Sequence, residues 1–168
     1  LASLTKKRWT EMGNEVVAFE VVNKGEQDHS ALVTRIKSKA PDLVFWTAYY
    51  ADGALVIKQL RTGGYKGKIT VGDGSTDVKL IEIAGKSADG VYAISNPLPQ
   101  FLTEGKKFIQ DYKTKFKVNP GPYSALSYDA MNLLADAIKR AGSTDKKAVA
   151  AALKATKDLL ANPPTVDQ

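Results

Sequence analysis

The chain has 168 residues, 43% hydrophobic and 25% charged, with a formal net charge of +6. That is enough chain for a buried core, and no apolar run approaches the ~20 residues of a membrane helix. There is no cysteine, which excludes disulfides, thiolate metal sites and a cysteine nucleophile, and His29 is the only histidine, which excludes a histidine metal cluster.

The chain opens on Leu1-Ala2-Ser3-Leu4 without a methionine or an apolar leader, as a fragment or a processed chain would. Ser3 to Met12 predicts an amphipathic helix burying Leu4, Trp9 and Met12 and ended by Gly13-Asn14. Glu15 to Val22 predicts a strand. Asp28 to Lys39 predicts a helix with Asp28 as its N-cap, His29 exposed in the first turn, and Leu32, Val33 and Ile36 on the inner face. A strand over 42–47, a helix over 51–62 closed by Gly63-Gly64, and a strand over 68–71 follow. Next come a short helix over 77–84 and a strand over 90–95. Four strands separated by helices predict an α/β fold, a parallel sheet with helices on both faces and right-handed connections.

After Asn96-Pro97-Leu98-Pro99 the pattern turns helical: 103–116, 124–141 and 145–156. In the second of these Leu126, Met131, Leu133, Leu134, Ala137 and Ile138 recur near helical spacing. No further strand follows, so these helices must pack on the first half or on other chain. The tail from Leu159 to Gln168, with Pro163-Pro164, reads as irregular.

The positive charge does not make a nucleic-acid site. Lys6, Lys7, Lys37, Lys39, Lys106, Lys107, Lys113, Lys115, Lys117, Lys146 and Lys147 are scattered, mostly over polar helix faces, with no accompanying recognition motif. Arg61 to Thr70 is no phosphate loop, because Thr62 stands where glycine is needed and the order is helix, loop, strand. No Gly-x-Gly-x-x-Gly opens a helix, so no dinucleotide fingerprint is present. Val71 to Asp77 lacks the downstream glutamate of a calcium loop.

Two features fall just past the carboxyl ends of predicted strands: Tyr49 and Tyr50 after one, Asp73 after the next. In open α/β sheets ligands bind there. If the two strands are neighbours, rings and carboxylate share one crevice. On pattern alone they serve equally well to cover the sheet end and cap a turn. A carboxylate beside aromatic faces suits a small ammonium group, through charge-assisted hydrogen bonds and cation–π attraction. No nucleophile–base pair accompanies them, so the crevice holds rather than reacts.

The series Asp28 to Lys37, Pro41-Asp42-Leu43-Val44-Phe45-Trp46, Tyr49-Tyr50, Gln59-Leu60-Arg61, Gly72-Asp73-Gly74, Ile83-Ala84-Gly85 with Gly90-Val91, and Gly121-Pro122-Tyr123 with Tyr128-Asp129-Ala130 resembles the type I periplasmic binding proteins. These are the leucine/isoleucine/valine-binding receptors of ABC importers. The resemblance implies a non-catalytic, extracytoplasmic receptor without cofactor or metal, whose two lobes close on an amino acid or related amine and deliver it to a membrane permease. It implies ligand contacts from Tyr49, Asp73 (where relatives often carry glutamate) and Tyr123, with Tyr50, Gly72 and Gly74 in secondary roles. By the same analogy 1–97 is most of the second lobe, lacking its first strand, and 98–158 is a helical segment that normally packs in the first lobe. The first lobe's carboxylate-binding groups and the Tyr-Gly turn expected before Leu1 have no counterpart, so the chain reads as a fragment with part of the site, open to self-association through exposed surfaces. A ligand-sensing receptor or regulator domain of the same fold is the alternative, and an enzyme on a flavodoxin-like scaffold is the weaker rival.

Overall fold

Leu43 to Trp46 and Lys68 to Val71 are β-branched and aromatic runs bounded by Pro41 and by glycines, the composition of short buried strands. In the computed structural model, which describes residues 1–103 and 105–156, both are strands. The chain forms two units, Leu1–Pro97 and Leu98–Gln168.

The first unit runs α1 (Ala2–Glu11), an irregular stretch, α2 (Ser30–Lys39), β1 (Leu43–Trp46), α3 (Tyr50–Thr62), β2 (Lys68–Val71), α4 (Lys79–Ala84) and β3 (Val91–Ala93). The sheet is parallel in the order β1-β2-β3, with Val44, Ile69 and Val91 in register, then Trp46, Val71 and Ala93 two residues on. Side chains alternate across a strand. The set Val44, Trp46, Ile69, Val71 and Val91 therefore faces one core, shared with Leu32, Val33 and Ile36 of α2, Ala54, Val56, Ile57 and Leu60 of α3, and Leu80 and Ala84 of α4. Successive right-handed crossovers that advance in one direction place their helices on one face. Helices α2, α3 and α4 of this core share that face rather than flanking the sheet on both, while Tyr92 on the other is 61% exposed.

Three expectations need correction. The first helix forms, but Leu4, Trp9 and Met12 are exposed and α1 buries no residue. Apolar spacing marks the face a helix offers, and burial needs a surface to receive it. The second concerns 15–22, which forms no strand, so the described sheet has three strands rather than four. Val16, Ala18 and Val22 are half-buried at alternate positions and Glu20 pairs with Arg35 at 2.9 Å, yet a strand is defined by a ladder partner. The third is His29, which is 2% exposed rather than solvated, with its Nε2 lacking a hydrogen-bond partner. Gln59 of α3 clamps this segment: its Oε1 accepts from the His29 backbone N–H at 2.6 Å and its Nε2 donates to the Gln27 carbonyl at 2.7 Å. A long-range clamp of this kind leaves no local signal. Helix α2 takes His29 as its capping position, while the Asp28 carboxylate accepts from the Ser30 backbone N–H at 2.9 Å. That bond is the main cause holding the Asp28 carboxyl below its ordinary value.

The turn 63–67 closes α3 and aims β2. Gly64 has φ of +89°, a left-handed conformation that favours glycine, and the Tyr65 N–H donates to the Leu60 carbonyl at 2.9 Å. Arg61 donates to the Tyr65 and Gly67 carbonyls at 3.0 and 2.8 Å. Buried Tyr65 donates its hydroxyl to the Pro41 carbonyl at 3.0 Å, tying the entries of β1 and β2.

The second unit contains α5 (Gly105–Phe116), α6 (Ser124–Ala141) and α7 (Lys146–Lys154), with no strand among its described residues. Phe108, Tyr112, Phe116 and Tyr128 form a chain of ring contacts with centroids 4.6–5.8 Å apart. Asp145 caps α7 by accepting from the Lys147 and Ala148 N–H groups at 3.0 Å. Arg140 joins α6 to α7, donating to Asp136, to the Ala152 carbonyl and to Thr156. Ala137 is buried in α6, whereas Leu126, Met131 and Leu134 are exposed. The tail 159–168 lies outside the described residues. Every lysine named above is exposed, Lys107 in an ion pair with Asp111.

Candidate functional site

Neighbouring parallel strands bring their carboxyl ends side by side, and β1 and β2 are neighbours. The loop after β1 (47–49) and the turn after β2 (72–75) thus share one edge of the first unit. Hydrogen bonds join them. The Gly72 N–H donates to the Trp46 carbonyl at 2.9 Å, which extends the ladder by one step. The hydroxyl of buried Ser75 donates to the Ala48 carbonyl at 2.9 Å. The Trp46 indole Nε1 donates to the Tyr49 carbonyl at 3.2 Å, and that carbonyl also accepts the Gly53 N–H at 3.1 Å to start α3.

Tyr49 occupies the N-cap of α3 in an extended conformation, with 72% of its surface exposed. Tyr50, one residue on, opens the helix and packs half-buried against the core. Both were expected in the loop; the helix begins one residue earlier than its predicted start, and the boundary separates the two rings. Asp73 opens a short 3₁₀ turn, Asp73–Ser75, and is exposed, with its carbonyl accepting from the Thr76 N–H and hydroxyl at 3.1 and 2.8 Å. Gly72 is buried and extended. At Gly74 the turn lies close against the loop: a Cβ there would lie 3.2 Å from the Ala48 carbonyl oxygen and 3.5 Å from Tyr49 Cδ1. The fold therefore brings Tyr49 against the turn that begins at Asp73. Tyr123 belongs to the second unit, where it occupies the capping position of α6 and is 43% exposed.

Sequence reasoning missed Trp46 and Ser75 as parts of this edge. Trp46 reads as the end of a strand, and a serine in a Gly-Asp-Gly-Ser turn reads as loop polarity. Only the neighbouring loop shows what each hydroxyl or indole N–H meets. Among the described residues no group of three or more His, Cys, Asp or Glu side chains is set to hold a metal ion.

A parallel sheet with connecting helices, and an exposed tyrosine beside an acidic turn at its carboxyl edge, make an α/β scaffold. The chain belongs to the periplasmic binding protein family, whose model matches residues 1–166. It is 35% identical over 154 residues to the Leu/Ile/Val-binding protein homolog 1 of Brucella abortus, covering 92% of this chain and 41% of that protein. Among solved structures, the leucine-binding protein LivK from Thermotoga maritima superposes with a TM-score of 0.81 at 36% identity, over 90% of this chain and 44% of that one. LivJ from Streptococcus pneumoniae, a branched-chain amino-acid transporter substrate-binding protein solved with isoleucine, gives 0.75 at 29% identity, over 90% and 44%. The chain spans less than half the length of these relatives.

Proposed function

We propose that this chain is part of the extracytoplasmic solute-binding component of an amino-acid ABC importer, non-catalytic, binding an amino acid or a related small amine by closure of two lobes and passing it to a membrane permease. One observation carries the reading. In a chain of this family, an exposed tyrosine and an acidic turn meet at the carboxyl ends of adjacent parallel strands. The relative LivJ was solved with isoleucine, which supports the ligand class. Tyr49 supplies a ring face for the ligand and Asp73 a carboxylate for its ammonium group. Gly72 and Gly74 leave the ligand's path free of side chains. Tyr123 forms a further wall, a role that rests on the resemblance of its Gly-Pro-Tyr context. In this scheme 1–97 serves as most of one lobe and 98–158 as helices of the other. No described helix is long and apolar enough to cross a membrane.

Isothermal calorimetry on the full-length protein with an amino-acid panel tests this. Binding of an aliphatic amino acid is expected, and Asp73→Ala abolishes it while leaving the circular dichroism spectrum unchanged. Absence of binding by any amino acid or amide removes the assignment. Unchanged affinity in Asp73→Ala removes Asp73 from the site.

A further inference from the structure

We propose that Trp46 and Ser75 are positioning residues: they lock the loop that presents Tyr49 and so set the ligand affinity of this edge. The inference rests on the amino-acid-binding reading above. Between β1 and α3 lie only Thr47, Ala48 and Tyr49, and a three-residue connection has little stiffness of its own. Here the carbonyls of Ala48 and Tyr49 are each held by a side chain. Ala48 is held across the strand boundary by Ser75, which is 2% exposed and sits on the same turn as Asp73. Tyr49 is held from below by the Trp46 indole N–H at 3.2 Å.

The indole reaches that carbonyl because α3 has a notch for it. A Cβ at Gly53 would lie 2.5 Å from Trp46 Nε1, 2.9 Å from Cδ1 and 3.1 Å from Cε2, so the ring occupies the space a side chain would take. Gly74 supplies the second notch, where a Cβ would lie 3.2 Å from the Ala48 carbonyl oxygen, and this lets the turn lie against the loop. The two bonds run in different directions, one along β1 into the start of α3 and one across to the turn after β2. Together they fix where Tyr49 stands relative to the turn of Asp73. A pocket wall held in place before the ligand arrives avoids an ordering cost on binding. Neither Trp46 nor Ser75 needs to touch the ligand for this.

Ser75→Ala removes the cross-loop bond, and Trp46→Phe removes the indole donor while keeping a ring. Leu80→Ala serves as the comparison, because Leu80 is buried in α4, outside both loops, and its truncation lowers stability without removing either of the two hydrogen bonds. In the full-length protein each of the first two is expected to weaken amino-acid binding about fivefold to tenfold. Each also speeds amide hydrogen exchange in the segment 46–53 of the unliganded protein. Leu80→Ala leaves both close to wild type at temperatures well below its melting point. Should Ser75→Ala not fold, Trp46→Phe carries the same comparison. Wild-type affinity in both variants, or equal losses in Leu80→Ala, overturns the proposal. If the wild type binds no amino acid, the functional reading fails by itself, and exchange over 46–53 still decides the positioning role: unchanged rates reject it.

Discussion

Gly53 is a residue whose replacement sets two effects of opposite sign against each other. It lies in the first turn and a half of α3, and its φ is not in the left-handed region, so alanine fits the backbone. Helix propensity alone favours Gly53→Ala by about 0.8–1 kcal/mol. The new methyl, however, would stand 2.5 Å from Trp46 Nε1, about 0.9 Å inside the 3.4 Å at which ordinary contact begins. The obstacle is the rigid ring of a partly buried indole, packed against the core, with no flexible end to swing aside. Overpacking of this kind costs ~1–3 kcal/mol. Displacing the indole also breaks its bond to the Tyr49 carbonyl, for ~0.5–1.5 kcal/mol more. The clash wins, and net destabilisation is expected at ~1–3 kcal/mol. Urea denaturation reads it as a lower midpoint at unchanged slope. The decisive comparison is the same substitution in a Trp46→Leu background. There the ring is gone, only propensity remains, and Gly53→Ala becomes stabilising by about 0.5–1 kcal/mol. A neutral or stabilising effect in the wild-type background, or no change of sign between backgrounds, refutes the reasoning.

Two further outcomes follow from the core. Leu60 is fully buried between α3 and the sheet, so Leu60→Ala should destabilise by ~2–5 kcal/mol; a loss below 1 kcal/mol in chemical denaturation would mean the site collapses around the cavity. Tyr65→Phe removes the hydroxyl donor to Pro41 and should cost about 1 kcal/mol near neutral pH. Burial pushes the Tyr65 phenol above its ordinary 10.0, with Arg61 opposing the shift and Asp42 adding to it. A raised value means the folded state holds the proton longer than the unfolded one, so this stabilisation is complete below pH 10 and is lost as pH rises above it. Urea midpoints measured from pH 8 to 11 should therefore fall less steeply in Tyr65→Phe than in wild type; parallel curves would remove Tyr65 from the alkaline transition.

The sheet was legible because its strands carry their own signals. Lys68 to Val71 is bounded by Gly67 and Gly72, and the strand runs over those residues as predicted. The helix over 124–141 forms with the bounds that its apolar spacing implies, ended by Gly142 in the left-handed conformation. Residues 15–22 show the limit of such signals. Their alternation survives as half-burial of Val16, Ala18 and Val22, while a strand requires a second chain segment to accept its hydrogen bonds, and a one-dimensional pattern cannot supply one. His29 shows the same limit for burial: its neighbours in sequence mark a helix start, whereas its enclosure, and the bond from its backbone N–H to Gln59 thirty residues away, exist only in the fold.

For the candidate site, local chemistry by itself determined that an aromatic pair follows one strand and an acid follows the next. The tertiary structure alone decided that those strands are neighbours, that Tyr50 turns into the core while Tyr49 stays exposed, and that Trp46 and Ser75 hold the loop between them. The physical reason is range. Helix and strand propensities act over a few residues, whereas adjacency, enclosure and a hydrogen bond from residue 75 to residue 48 exist only once the chain has folded back on itself.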